Sequence, residues 1–213
     1  MKLSNALLSI LFALFLLPAC GGDDHDDHGH GHGHHGHDHD PNEVITTVKL
    51  HFTPAEGGDT VSFTWADPEN DGSPTIDPIN LTAGTTYAVT VEILNELENP
   101  AEDVTVELRD ELDEHQFFFT GESVSSPASE SSDPIISQAY TDMDENGDPV
   151  GLSNTIEAVT AGSGDLTIML RHMPPVNNMP VKTSGLAALV KNGQTSELPG
   201  DVDIEITFPV TVE

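Results

Sequence analysis

One cysteine, Cys20, is the whole thiol inventory of this 213-residue chain. A single sulfur cannot close an intramolecular disulfide, so stability must come from a hydrophobic core. Basic residues are nearly as scarce: Lys and Arg total 6 against 37 Asp and Glu, for a formal net charge of −31. That balance repels nucleic acid and anionic headgroups, and it leaves cations or a basic partner as natural counterparts. The same charge also keeps a tethered protein soluble. Aromatic residues make up 5% of the chain, and only Trp65, Tyr87 and Tyr140 combine a ring with a polar handle, which leaves little for stacking on sugars. No apolar run approaches the ~20 residues that a membrane-spanning helix needs. Nucleophile elbow, phosphate-cradling glycine loop and a thiol beyond Cys20 are all missing, and the chain therefore reads as a non-enzyme. Carboxylates abound, but acid–base chemistry would require two of them to share a cleft.

The first nineteen residues address the chain to export. Lys2 gives a short positive start, and Ala6 to Leu17 (ALLSILFALFLL) is a mainly apolar stretch suited to a secretory signal. It ends in Leu17-Pro18-Ala19-Cys20, which resembles a bacterial lipobox: small residues ahead of a cysteine that is lipidated and becomes the first of the mature chain. Each buried CH2 of such an anchor contributes about 0.8 kcal/mol, and more than one acyl chain gives stable attachment. The expected organisation is a signal at 1–19, the lipidated cysteine and a linker at 20–42, and one domain at 43–213.

From Gly21 to Asp40 the linker consists of eight His, six Asp and six Gly. With no apolar residue it cannot bury a core and reads as disordered without ligand, reaching roughly 25 Å as a Gly-rich coil. Neutral imidazoles bind Zn, Ni, Cu and Co, and the neighbouring carboxylates add charge and hard ligands. His25, His28, His30, His32, His34, His35, His37 and His39 offer several overlapping ligand sets, which favours multiple, fast-exchanging ions over one selective site. A flexible spacer is the alternative, although a spacer has no need of histidine.

Past Glu43 the pattern changes to period two. EVITTVKLHFTP puts Val44, Thr46, Val48, Leu50 and Phe52 on one face; DTVSFTWADP groups Val61, Phe63 and Trp65; TTYAVTVEIL groups Tyr87, Val89, Val91 and Ile93. Similar runs follow at DVTVEL, HQFFFTG, PIISQAYTD, NTIEAVT, GDLTIMLRH and VDIEITFPVTV, separated by turn pairs such as Gly57-Gly58, Asp71-Gly72 and Asn146-Gly147. Eight or nine such strands predict an all-β fold, an immunoglobulin-like antiparallel β-sandwich. Only GLAALVKN, inside the irregular stretch 174–200, is expected to make a short helix.

The domain holds three more histidines. His51 falls on the polar face of the first strand. His115 shares a face with Phe117 and Phe119, and His172 shares one with Leu166, Ile168 and Leu170. Both therefore sit at strand ends where a sandwich interior meets its loops. Acids crowd His115, and His115, His172, Glu111 and Glu114 are the candidates for a mixed N/O zinc shell if the two strand ends are neighbours; otherwise they are two hydrogen-bonded rim histidines. Asp142, Asp144, Asn146 and Asp148 match the opening of a calcium loop. Ser153 stands where that loop needs its bidentate Glu, and no helices flank it, so Ca(II) ranks behind a plain turn. Asp67 to Gly72 repeats the spacing more weakly.

EVITTVKLHFTP, NPAEDVTVELRDELDEHQFFF, YTDMDENGDPVGL, GDLTIMLRHMP and DVDIEITFPVTV together resemble a group of small Bacteroidota outer-membrane lipoproteins, some labelled as having a type 1 periplasmic-binding fold. The label implies an α/β fold, whereas the strand pattern implies all-β. Asp23 and Asp24, soon after the lipid cysteine, resemble the surface-export signal of that phylum's lipoproteins and imply the cell surface rather than the periplasmic face. The resemblance further implies work beside a TonB-dependent outer-membrane transporter. The expectation is an outer-membrane lipoprotein that binds Zn(II) or a similar ion for capture, buffering or delivery. The alternative is an interaction module for a glycan, a peptide or a transporter partner, with the His tract incidental.

Overall fold

The structure, a computed structural model, describes residues 43–213; the signal, Cys20 and the His tract lie outside the described residues. Strand-forming runs pair largely as their alternation requires. One sheet contains β1 (Thr47–Pro54), β2 (Val61–Ala66), β3 (Thr75–Ile76), β5 (Thr86–Asn95), β8 (Val124–Ser125), β9 (Ile136–Tyr140) and β10 (Ser153–Ala158), in the order β3-β2-β1-β5-β10-β9-β8, with β6 (Glu102–Asp103) also paired to β5. The other contains β4 (Ile79–Leu81), β7 (His115–Thr120), β11 (Gly162–His172) and β12 (Asp201–Val212), in the order β4-β12-β11-β7. Pairing is antiparallel except at two short contacts, β4 with β12 and β8 with β9.

The inner faces supply one core. Val48, Leu50, Phe52, Val89, Val91 and Ile93 of the large sheet meet Phe117, Phe119, Leu166, Ile168, Leu170 and Phe208 of the small one. Each such side chain stabilises the fold by about 1.5–3 kcal/mol on burial. The protein is an all-β sandwich. Among the described residues no helix is long and apolar enough to cross a membrane.

β7 does not alternate because it is covered on both faces. Phe118 points away from the main core and, with Met169, packs under Met173, Leu186, Ala187 and Leu198. These last come from the excursion between β11 and β12, which carries the helix α2 (Leu186–Lys191). GLAALVKN is thus the short helix its composition suggests, and its work is to roof the outer face of the small sheet.

DVTVEL is not a strand. Val104–Asp110 forms α1, capped by Asp103, whose carboxylate accepts from the Thr105 N–H at 3.1 Å. Val104, Thr105 and Leu108 are buried while Val106 turns outward, a helical spacing that overrides the apparent alternation. The reason lies in β5. Its neighbour β10 stops at Ser153, opposite Thr90, so Ile93 lacks a strand partner on that side. The Thr105 hydroxyl takes the place of one, accepting from Ile93 N at 2.8 Å and donating to Ile93 O at 3.3 Å.

His51 lies on the outer face of the large sheet, as its phase predicts. Its Nδ1 bonds Ser62 Oγ at 2.7 Å and its Nε2 bonds Glu92 Oε2 at 2.9 Å, with Lys49 Nζ on the other Glu92 oxygen at 3.2 Å. Thr105→Val keeps the volume but leaves the buried Ile93 groups unbonded; chemical denaturation is expected to show a loss of about 1–3 kcal/mol.

Candidate metal centre

The register of β7 on β11 decides the geometry of the two core-facing histidines. His115, the first residue of β7, is the cross-strand partner of His172, the last residue of β11. Both side chains point inward, and their rings stack with centroids 4.4 Å apart and planes within 8°. His115 is fully buried and His172 is 5% exposed.

α1 delivers the next group. The chain leaves α1 through Glu111, whose carbonyl accepts a hydrogen bond from His115 Nδ1 at 3.1 Å. That bond places the proton of a neutral His115 on Nδ1 and leaves a lone pair on Nε2. Lys182 Nζ donates to Leu112 O at 2.7 Å and so ties the same loop to the roof segment. Ligand atoms of Glu111, His115 and His172 all lie within 4.8 Å of one another. Glu114 joins through Oε2, 3.5 Å from His172 Nε2. The four candidates from the domain sequence therefore gather at one end of the sandwich.

Two further acids complete the cluster, Glu43 and Asp203, and neither stands out in the sequence. Glu43 precedes β1 and brings Oε1 to 4.0 Å from His115 Nε2. Asp203 reaches the interior through an irregularity in β12. Leu170 pairs with Ile204 and Arg171 with Val202, so Asp203 is the extra residue of a β-bulge. The bulge inverts the strand's phase: Val202 becomes 42% exposed, while both Asp203 carboxylate oxygens are buried. The turn leading into β12 is equally constrained. Gly200 has φ +69, and a Cβ there would collide with the His172 carbonyl. Arg171 holds that turn by donating to the carbonyls of Pro199, Leu198 and Gly200.

The polar atoms so assembled are short of partners. His115 Nε2, His172 Nε2, Glu43 Oε2 and both oxygens of Asp203 are buried without a hydrogen-bond partner among the described residues. The electrostatics follow. Burial, helped by neighbouring His172 and Lys182 and opposed by the bond to Glu111, pulls His115 down from 6.5 to about 4. Burial, then repulsion from Asp203 and nearby glutamates, pushes Glu43 up to about 8. Burial also lifts Asp203 to about 6, with Asp201 adding and His172 and Arg171 opposing. Glu114 is raised by burial and by Glu111, with His172 opposing. Burial thus keeps the His115 imidazole neutral and favours a proton on Glu43, which a divalent cation can replace.

The possible calcium loop looks different. Asp142 accepts from the amides of Gly151 and Ser153 at 2.8 and 3.0 Å. One oxygen of Asp144 accepts from the amides of Asn146 and Asp148, each at 2.9 Å, and the other lies 2.9 Å from the buried ammonium of Lys182. These carboxylates serve a turn and an internal ion pair. Asp67 likewise accepts from Asp71 and Gly72 amides. Cys20 and His25, His28, His30, His32, His34, His35, His37 and His39 fall outside the described residues.

Compared with family models, with curated proteins and with solved structures, the chain matches none.

The buried acids give the metal-free protein a defined pH response. Folded Glu43 keeps its proton up to about pH 8, while the unfolded chain loses it near 4.5. Its contribution is therefore full below 4.5 and lost as pH rises through about 8; Asp203 acts in the same sense between 3.8 and about 6. His115 acts oppositely, because the unfolded chain takes the proton first as pH falls from 6.5 toward 4. Urea denaturation with a chelator present is expected to show lower stability at pH 8 than at pH 6. Glu43→Gln, with no proton to lose, is expected to remove most of that decline.

Proposed function

We propose that the protein is a lipid-anchored, metal-binding protein of the outer membrane, in which the folded domain shares the metal chemistry of its His-rich leader. The ion is Zn(II) or a similar divalent transition metal, held by His115 and His172 with Glu111 and Glu114. One observation carries the reading: two buried imidazoles stack across adjacent strands, each with an Nε2 that lacks a hydrogen bond among the described residues, and carboxylates surround them.

The energetics favour an ion there. An unsatisfied buried polar group costs about 1–3 kcal/mol, so a site with several is stabilised by whatever satisfies them together. Tetrahedral zinc with Zn–N bonds near 2.1 Å needs its two nitrogens about 3.4 Å apart, which rotamer adjustment of side chains already within 4.8 Å can supply. With imidazole and carboxylate donors and no thiolate, the set suits Zn, Ni, Co or Cu(II) over Cu(I). The strongly negative surface concentrates cations near the domain. Burial of both histidines favours holding an ion over exposing it to a substrate, which accords with capture, buffering or delivery to a neighbouring TonB-dependent transporter.

The support for anchoring is the signal, lipobox and Cys20 at the head of the chain, and the acidic residues behind the cysteine favour the cell surface. The tract would collect ions in fast exchange, and the domain would retain one.

Calorimetric titration of zinc into the full chain in detergent, with the eight tract histidines changed to serine, isolates the domain. The expected result is binding tighter than about 10 μM. A loss of about a hundredfold or more is expected on His172→Ala or His115→Ala. Zinc at ~100 times its Kd is expected to add about 2.7 kcal/mol of stability to the parent. Binding weaker than 10 μM, or binding indifferent to both histidines, would overturn the proposal.

A further inference from the structure

Resting on the metal reading above, we infer that Glu43 and Asp203 are ligands of the same ion, which thereby clasps the domain's first residues to the small sheet and couples occupancy to the segment where the leader joins the fold. Four observations converge on this. Glu43 stands four residues ahead of β1, which belongs to the large sheet, while His115, His172 and Asp203 belong to the small one. Its Oε1 approaches His115 Nε2 at 4.0 Å, and its Oε2 is buried without a hydrogen bond among the described residues. Asp203 is turned inward by a bulge rather than by regular alternation, with both oxygens buried and unbonded. Asp203 acts on Glu43, and His172 acts on both Asp203 and His115, so the four form a connected group.

Bulges recur beside functional sites because an extra residue re-aims a side chain. Here it exchanges the apolar Val202 for the carboxylate of Asp203 at the inner face. That exchange is unfavourable in an apolar interior unless the carboxylate gains a cation. Arg171, the nearest guanidinium in sequence, is occupied with three carbonyls of the preceding turn. Lys182, the buried ammonium on this side, is occupied with Asp144 and Leu112. With both basic side chains so engaged, a metal ion can serve as the cation for the two acids among the described residues.

Placement of Glu43 gives the clasp its consequence. Backbone pairing of its segment with β5 is under way at Thr46, whose N–H donates to Leu94 O at 3.0 Å. Val44 is 39% exposed and Ile45 is buried. Glu43 is thus a short arm, joined through the exposed Val44 to a segment that Ile45 and Thr46 anchor. A ligand bond from Glu43 favours the docked arm, and by linkage the docked arm favours the ion.

The test uses the full chain in detergent with the eight tract histidines changed to serine, and zinc as the probe. Each variant is first checked for an unchanged metal-free unfolding transition at pH 6, where Glu43→Gln is expected to fold as well as the parent. Glu43→Gln and Asp203→Asn are each expected to weaken zinc binding by about tenfold or more without abolishing it. Zinc is expected to slow hydrogen exchange at the Ile45 to Thr47 amides at least tenfold in the parent and not in Glu43→Gln. If Glu43→Gln binds zinc as tightly as the parent and shows the same protection, Glu43 is no ligand and this inference falls while the histidine site stands. If the parent itself binds no zinc, the proposed function fails and takes this inference with it.

Discussion

The antiparallel pairing of β7 with β11 is the constraint on which the rest of the molecule depends. It sets Phe117 and Phe119 beside Leu170 and Ile168 in the core, and in the same register it sets His115 against His172. Because side chains alternate with period two, a slip of β7 by one residue would send Phe118 into the sandwich and His115 out of it, away from His172. The outer face resists such a slip, since Phe118 and Met169 are already committed under the α2 segment. The stacked imidazoles are therefore held by two layers of packing at once, one on each side of the sheet.

Electrostatics divide the molecule in a way that follows from water. On the outer face of the large sheet, His51, Lys49 and Glu92 bond one another where solvent shares the load. At the rim of the core, the same residue types gather with no base to spare, and burial drives histidine down and carboxyls up. Lys182 and Asp144 show the other solution to burial: an ion pair 2.9 Å long with both side chains almost wholly enclosed. That pair stabilises a fixed geometry, holding the Glu111–Glu114 loop at its carbonyl. In the histidine cluster, by contrast, both Nε2 atoms and both Asp203 oxygens are buried without a hydrogen bond among the described residues.

Much of this was legible in the residues. Alternation in EVITTVKLHFTP, TTYAVTVEIL and GDLTIMLRH identifies the core faces, and the phase of HQFFFTG and GDLTIMLRH puts His115 and His172 on them. DVTVEL was misleading because valines at every second position suit a strand, whereas an N-capping Asp and an unpaired stretch of β5 select a helix. Asp203 was hidden for a related reason: period two assigns it to solvent, and only the bulge brings it inside. Glu43 lies before the first paired residue, where no periodicity speaks for it. Strand partners, and with them the proximity of His115 to His172, come from the long-range topology that no local pattern encodes.

The donors of this cluster are scattered along the chain, on the run-up to β1, the exit of α1, the head of β7, the tail of β11 and the bulge of β12. β7, β11 and β12 adjoin within the small sheet, but the run-up to β1 belongs with the large sheet and meets them only when the two sheets pack together. Small zinc domains place their ligands within a turn or two, so that the metal nucleates folding. Here loop closure over most of the chain must come first. An ion bound as proposed would therefore not start the folding of this protein but report that folding has finished.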